Sequence, residues 1–171
     1  RKRLRARVHH HERLTRRLML NSLLLSSAAL PDYLKALERF RPRFLKGLPS
    51  NLHVLALLCS GQKRRPSFEA VFSQGENLYP HQRRLIEEVF STRVFDSYGQ
   101  LERVAAISQC PYGSYHIHSD YGLVELLGVD RQAGIELQPG SRLAEIVGSS
   151  LHNHAMPLLR YRTHDLVEIG E

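Results

Sequence analysis

Four short stretches carry the groups that could do chemistry. RYRTHD, residues 160–165, sets His164 beside Asp165, as two members of a hydrolytic triad might be imagined. Adjacent residues of an extended segment point to opposite faces, so the two are poorly placed to act on one another. SQGENLYP (73–80) and DSYGQLE (96–102) each combine a glycine with a carboxylate, Glu76 and Glu102. Glycine lets a backbone approach a ligand closely, and carboxylates hold hard cations. Two such segments at strand ends suit a nucleotide with a metal ion; the plain alternative is two ordinary strand–helix turns. QCPYGSYHIHSD (109–120) brings Cys110, His116 and His118 together. His-x-His on a strand is half a metal site. Cys110 with His116 or His118 as a nucleophilic dyad is the rival reading, but no helix N-terminus or local basic group is evident in the sequence to depress the thiol pKa. Ser73 is outside any Gly-x-Ser-x-Gly elbow, Cys59 reads as core, and His9 to His11 read as surface.

The elements that must position these groups follow from punctuation and periodicity. Leu4, Val8, His11, Leu14 and Leu18 recur at helical intervals, so residues 1–20 are expected to form a basic helical arm. LPDYLKALERF reads as a helix stopped by Pro42, and RFLKGLPS as a strand and turn. Ser50 is expected to cap the helix NLHVLALLCS. FEAVFSQGE is a strand, Pro80 opens the helix HQRRLIEEVF, and STRVFDSYG is a third strand. Strand–helix–strand–helix–strand predicts an α/β fold, a parallel sheet with crossover helices, over residues 21–103. SYHIHSD, GLVELLGV and RLAEIVGSS then alternate or run apolar between Gly and Pro, so residues 104–171 are expected to add a smaller antiparallel sheet or barrel-like part.

The net charge of +7 sits in one place. Residues 1–17 hold eight basic groups and one acid, leaving sixteen of each sign from totals of 24 and 17. The body therefore has no basic surplus for nucleic acid, and no specific nucleic-acid partner is expected; a basic arm touching an anionic partner is the reading from another class. No apolar run approaches the length of a transmembrane helix. Two cysteines are too few for a secreted disulfide framework, which favours a reducing, cytoplasmic compartment. Basic residues ahead of LMLNSLLLSSAAL imitate a secretory leader, but Asn21 and Ser22 interrupt the apolar run. The sequence lacks an initiator Met and is read as starting within a protein.

LKGLPSNLHVLA, VFSQGENLYPHQRRLIEEVF, VFDSYGQLERVA and SLHNHAMPLLRYRTHD, in this order, resemble the adenylate-forming superfamily. Within it the likeness is to the phenylacetate–coenzyme A ligase branch, including relatives in capsular polysaccharide biosynthesis. The resemblance implies a central fragment of the large N-terminal domain of such an enzyme. It implies activation of a small-molecule carboxylic acid with ATP, giving an acyl-adenylate, AMP chemistry and transfer to coenzyme A. Oligomeric state stays open, a homodimer among the forms. DSYGQLE matches the family's aromatic-Gly-x-Thr-Glu motif. Asp96, Ser97, Tyr98, Gly99, Gln100 and Leu101 would then face the nucleotide, with Tyr98 against adenine, and Glu102 would be the catalytic ligand of Mg²⁺. Gly75, Glu76 and Asn77 would line the adenine pocket, and Asp165 would accept hydrogen bonds from the ribose hydroxyls. Cys110 and His116 match the first half of a structural Zn²⁺ site.

Three positions depart from the pattern. Leu101 stands where Thr is usual, Leu48 where Tyr is common, and His164 where Gly is expected at a tight turn. The family's Gly/Ser/Thr-rich phosphate loop and its Lys-bearing lid are not among these 171 residues, so the isolated chain is expected to be inactive. The alternative within the family is a noncatalytic or divergent homologue tied to surface polysaccharide production.

Overall fold

The computed structural model describes residues 8–130 and 135–170. The chain divides into two units, residues 1–96 and 97–171.

The first unit opens with an antiparallel hairpin, β1 (His9–Glu12) and β2 (Arg17–Leu20), with His9 opposite Leu20 and Glu12 opposite Arg17. This corrects the expected helical arm over its described part; Arg1, Lys2, Leu4 and the rest of residues 1–7 lie outside the described residues. Arg16 takes a left-handed turn at φ 51°, and Leu14, which helical spacing would bury, is 98% exposed. Leu18 and Leu20, two apart, pack on the core instead, so a period of two wins over the helical one.

Helix α1 (Leu30–Phe40) follows, with Pro31 in its first turn and Arg41 closing it in the left-handed conformation. Strand β3 (Phe44–Gly47) leads into α2 (Pro49–Ser60). Leu48, not Ser50, is the N-cap residue of α2, because Pro49 already takes the first helical position, which needs no N–H donor. Then come β4 (Ala70–Gln74), α3 (Pro80–Phe90) and β5 (Val94–Gly99). β3 and β4 pair in parallel, and Val71 N–H donates to Arg93 O at 3.0 Å beside β5. Leu52, Leu55, Ala56 and Cys59 of α2 join Ile86, Val89 and Phe90 of α3, with Val71 and Val94 from the strands, in one apolar core. Burial pushes the Cys59 thiol up to about 11, as suits a core cysteine.

The second unit is antiparallel. β6 (Ala106–Gln109) pairs with the end of β5, Ser97 opposite Ser108, and β7 (Tyr115–Ile117) pairs with β6. β9 (Arg142–Ser150) runs between β8 (Gly122–Gly128) and β10 (Tyr161–Ile169). The fold is thus a mixed sheet with helices and smaller antiparallel sheets. Ala105, Ile107 and Ile146 form the second core, against which Tyr98, Val124 and Val167 pack.

Two glycines let backbone approach here. A Cβ on Gly122 would meet Val104 O at 2.2 Å, and one on Gly148 would meet it at 2.7 Å. Gly128 has nothing within 4 Å of its Cβ position. Gly122→Ala should therefore lower stability by about 1–3 kcal/mol through forced backbone displacement, while Gly128→Ala should stay within about 0.5 kcal/mol. Chemical denaturation of the two variants checks the contrast.

Candidate functional site

Strand β5 carries the DSYG residues, as expected of STRVFDSYG, and the turn begins at Gln100. The ring of Tyr98 is half-buried on the Ala105–Ile107–Ile146 cluster. Its hydroxyl donates to Asp165 Oδ2 at 2.5 Å, joining motifs 67 residues apart in sequence. Burial first, then the hydrogen bond to Asp165, raises the phenol pKa, so Tyr98 stays a protonated donor. Tyr161 hydroxyl lies 3.5 Å from Glu102 Oε1. The second unit thus brings Tyr98 and Asp165 together and sets Glu102 beside the start of β10.

Asp165 stands on a bulge. Arg162 lies opposite Val147 and Leu166 opposite Glu145, so four steps on β10 match two on β9. His164 takes φ 61°, the left-handed conformation expected of the glycine it replaces. Thr163 hydroxyl donates to Ile146 O at 2.8 Å and accepts Asp165 N–H at 3.1 Å. Beneath this turn lies Glu145, which sequence reasoning missed. It is 3% exposed, and its carboxylate accepts from the Arg162 guanidinium through Nε at 3.1 and 3.0 Å and through the second nitrogen as well. The same group accepts His164 N–H at 3.2 Å, and His164 Nδ1 lies 3.4 Å from it. The one signal was a lone acid inside the apolar run RLAEIVG. His164 and Asp165 face different partners, which removes them as a dyad.

Within the first unit, Gly75 turns the chain after β4 at φ 91°, and a Cβ there would meet Leu48 at 3.0 Å. Glu76 bonds Ser50 through both N–H and Oγ, each at 3.0 Å, closing the first turn of α2 from outside. Asn77 is exposed beside it. Asp96 accepts from the buried hydroxyl of Ser73 at 2.5 Å. In the second unit, Ser97 and Gly99 are half-buried, and Leu101 is 96% exposed. Gln100 Oε1 accepts Ala105 N–H at 3.4 Å, while its buried Nε2 has no partner among the described residues.

The second predicted cluster divides. Hydrogen bonding with His116 is the main cause that lowers the Cys110 thiol pKa, against a smaller opposing effect of burial; backbone bonds from Tyr112 and Ser114 add to the lowering. His118 instead bonds Ser108 Oγ through Nε2 at 2.7 Å, so His116 and His118 do not act as one pair. Among the described residues no group of three His, Cys, Asp or Glu is placed to hold a metal ion. Cys110 and His116 supply two donors where a structural zinc takes four. Glu102 fits magnesium better, since that ion takes one or two carboxylates and fills its shell with phosphate and water oxygens. Two surface depressions, of about 510 and 870 Å³, hold neither Tyr98, Glu102 nor Asp165.

No family model matches the chain. It is 26% identical over 157 residues to protein CapK of Staphylococcus aureus, covering 88% of this chain and 33% of that one. Among solved structures it is similar to 2-hydroxyisobutyryl-CoA ligase in an open conformation with 2-HIB-AMP and CoA. That match has a TM-score of 0.60 and 18% identity over 82% of this chain and 34% of the ligase. It is also similar to VinN, at TM-score 0.51 and 18% identity, over 80% of this chain and 39% of that chain. The chain spans about a third of the length of the relatives it matches.

The Glu145 carboxylate pKa is lowered, chiefly by the hydrogen bond from Arg162. Its folded-state pKa lies below the unfolded one, so its stabilisation is present above the usual carboxylate range and is lost as pH falls through the lowered value. Glu145→Gln should flatten the acid limb of the stability–pH curve relative to wild type, measured by urea denaturation at successive pH values. An unchanged acid limb would deny Glu145 this part.

The comparisons and the strand order agree on architecture: the chain has the fold of part of an adenylate-forming enzyme.

Proposed function

We propose that these residues form the nucleotide-facing middle of an ATP-dependent acid–coenzyme A ligase. The observation that carries this reading is the Tyr98–Asp165 hydrogen bond, which unites two motifs of the resemblance on one small surface. Asp165 accepts from Tyr98 with one oxygen and, as a carboxylate with about four lone-pair sites, keeps capacity for both ribose hydroxyls. Tyr98 offers a ring held by its own core contacts to the adenine. Gly75, Glu76 and Asn77 would border the adenine, and Asp96, Ser97, Gly99, Gln100 and Leu101 the remainder of the nucleotide. Glu102 would hold magnesium, which when bound offsets negative charge on the ATP phosphates.

The reaction joins a carboxylate oxygen of the acid to the α-phosphorus of ATP. The bond from that phosphorus to the bridging oxygen breaks, and pyrophosphate leaves. The thiol of coenzyme A then takes the acyl carbon, its proton is lost to solvent or base, and AMP departs. A small carboxylic acid fits this chemistry, as do the acyl-adenylate and CoA held by the similar ligase. The action would take place in the cytoplasm; no helix among the described residues is long and apolar enough to cross a membrane.

A second reading has its own support. The likeness to protein CapK, with Leu101 and His164 at two motif positions, favours a divergent homologue in surface polysaccharide production, noncatalytic or differently coupled. ATP–pyrophosphate exchange by the full polypeptide, with a panel of carboxylic acids, separates the two. Exchange with any acid supports the ligase. Its absence beside retained AMP binding supports the homologue.

In that polypeptide Asp165→Ala should weaken AMP binding at least tenfold, about 1.4 kcal/mol. His164→Gly should preserve or strengthen it, since glycine takes the left-handed turn freely. The reverse order would make His164 a functional group. The 171 residues alone should show no exchange. Cys110 and His116 are proposed as two zinc ligands completed by residues outside this segment. Metal analysis should find zinc in the full polypeptide and a reduced content in Cys110→Ser; no zinc in the unaltered protein would dismiss the site.

A further inference from the structure

Glu145 is the most deeply buried of the charged groups around the bulge, and its hydrogen bonds run to Arg162 and the His164 main chain rather than to the Asp165 side chain. These bonds go to the segment that carries Asp165. Arg162, whose side chain is 62% exposed, reaches in to pair with it. His164, 80% exposed, gives it a main-chain N–H and sets its imidazole alongside. These contacts fall on either side of Thr163, whose hydroxyl ties the turn to β9.

A buried carboxylate without partners is costly. The turn therefore cannot relax into regular pairing without leaving Glu145 short of the Arg162 and His164 donors. Regular pairing would also remove the two extra residues that carry Asp165 out of register.

We infer that Glu145 is a positioning residue of the nucleotide site: through Arg162 and the His164 main chain it fixes the bulge that aims Asp165, and so sets selectivity for the ribose hydroxyls. This rests on Asp165 being the ribose acceptor. The Tyr98 hydroxyl bonds Asp165 and not Glu145, so loss of Glu145 should leave base and phosphate contacts alone. The consequence is a change in discrimination, which a general loss of stability would not produce.

The test is titration of the full polypeptide with AMP and with 2′,3′-dideoxy-AMP. The unaltered protein should prefer AMP at least tenfold. Glu145→Gln should shrink that ratio at least fivefold, while affinity for the dideoxy nucleotide moves less than twofold. Arg162→Gln, at an exposed position, should shrink the ratio at least threefold and decides the matter if Glu145→Gln does not fold. A ratio unchanged in the folded variants overturns the positioning role alone. An unaltered protein without preference for AMP overturns the ribose reading and the positioning role with it.

Discussion

The second unit is organised around one ion pair, the buried Glu145 carboxylate and the Arg162 guanidinium that reaches it from the surface. Taking a carboxylate out of water is expensive unless strong donors meet it in good geometry. Here the donors come from the bulged segment 162–164, so the electrostatic demand of β9 dictates the conformation of β10. That explains why His164 holds a left-handed turn that favours glycine. The imidazole lies near the same carboxylate, which offsets part of the cost of a side chain at this position. Asp165 follows the turn and meets Tyr98, whose ring rests on a core of Ala105, Ile107 from β6 and Ile146 from β9.

The first unit uses a comparable device at smaller scale. Glu76 reaches from the turn after β4 to the start of α2 and takes both N–H and hydroxyl of Ser50. A carboxylate at a helix N-terminus satisfies orphan donors and meets the favourable end of the helix dipole. Gly75 makes the reach possible by turning at φ 91°. Glu76 therefore holds the crossover helix, and its substitution would loosen the first turn of α2.

Much of this was legible in the sequence where local signals and tertiary demands agree. Pro80 and the apolar strands on either side of it were read as α3 and its flanking strands, because proline at a first turn and burial on a sheet point the same way. Asp165 with Tyr98 was legible through the motif pattern. The hairpin at 9–20 was not, because its leucines fit two periods, and packing against α1 and its neighbours chose the shorter one. Ser50 looked like a cap, but proline ahead of it moved the helix start two residues earlier, from Asn51 to Pro49. Glu145 hid inside an apolar run: one acid in a strand carries no periodic signal, and its partners lie 17 and 19 residues away.

Every role proposed for the bulge depends on the Tyr98–Asp165 pair facing a nucleotide. The most direct measurement is a crystal structure of the full polypeptide soaked with AMP. The account predicts both ribose hydroxyls within hydrogen-bond distance of the Asp165 carboxylate, the Tyr98 ring against adenine, and the Glu145–Arg162 pair retained. AMP seated elsewhere, with Asp165 still engaged only by Tyr98, would contradict it.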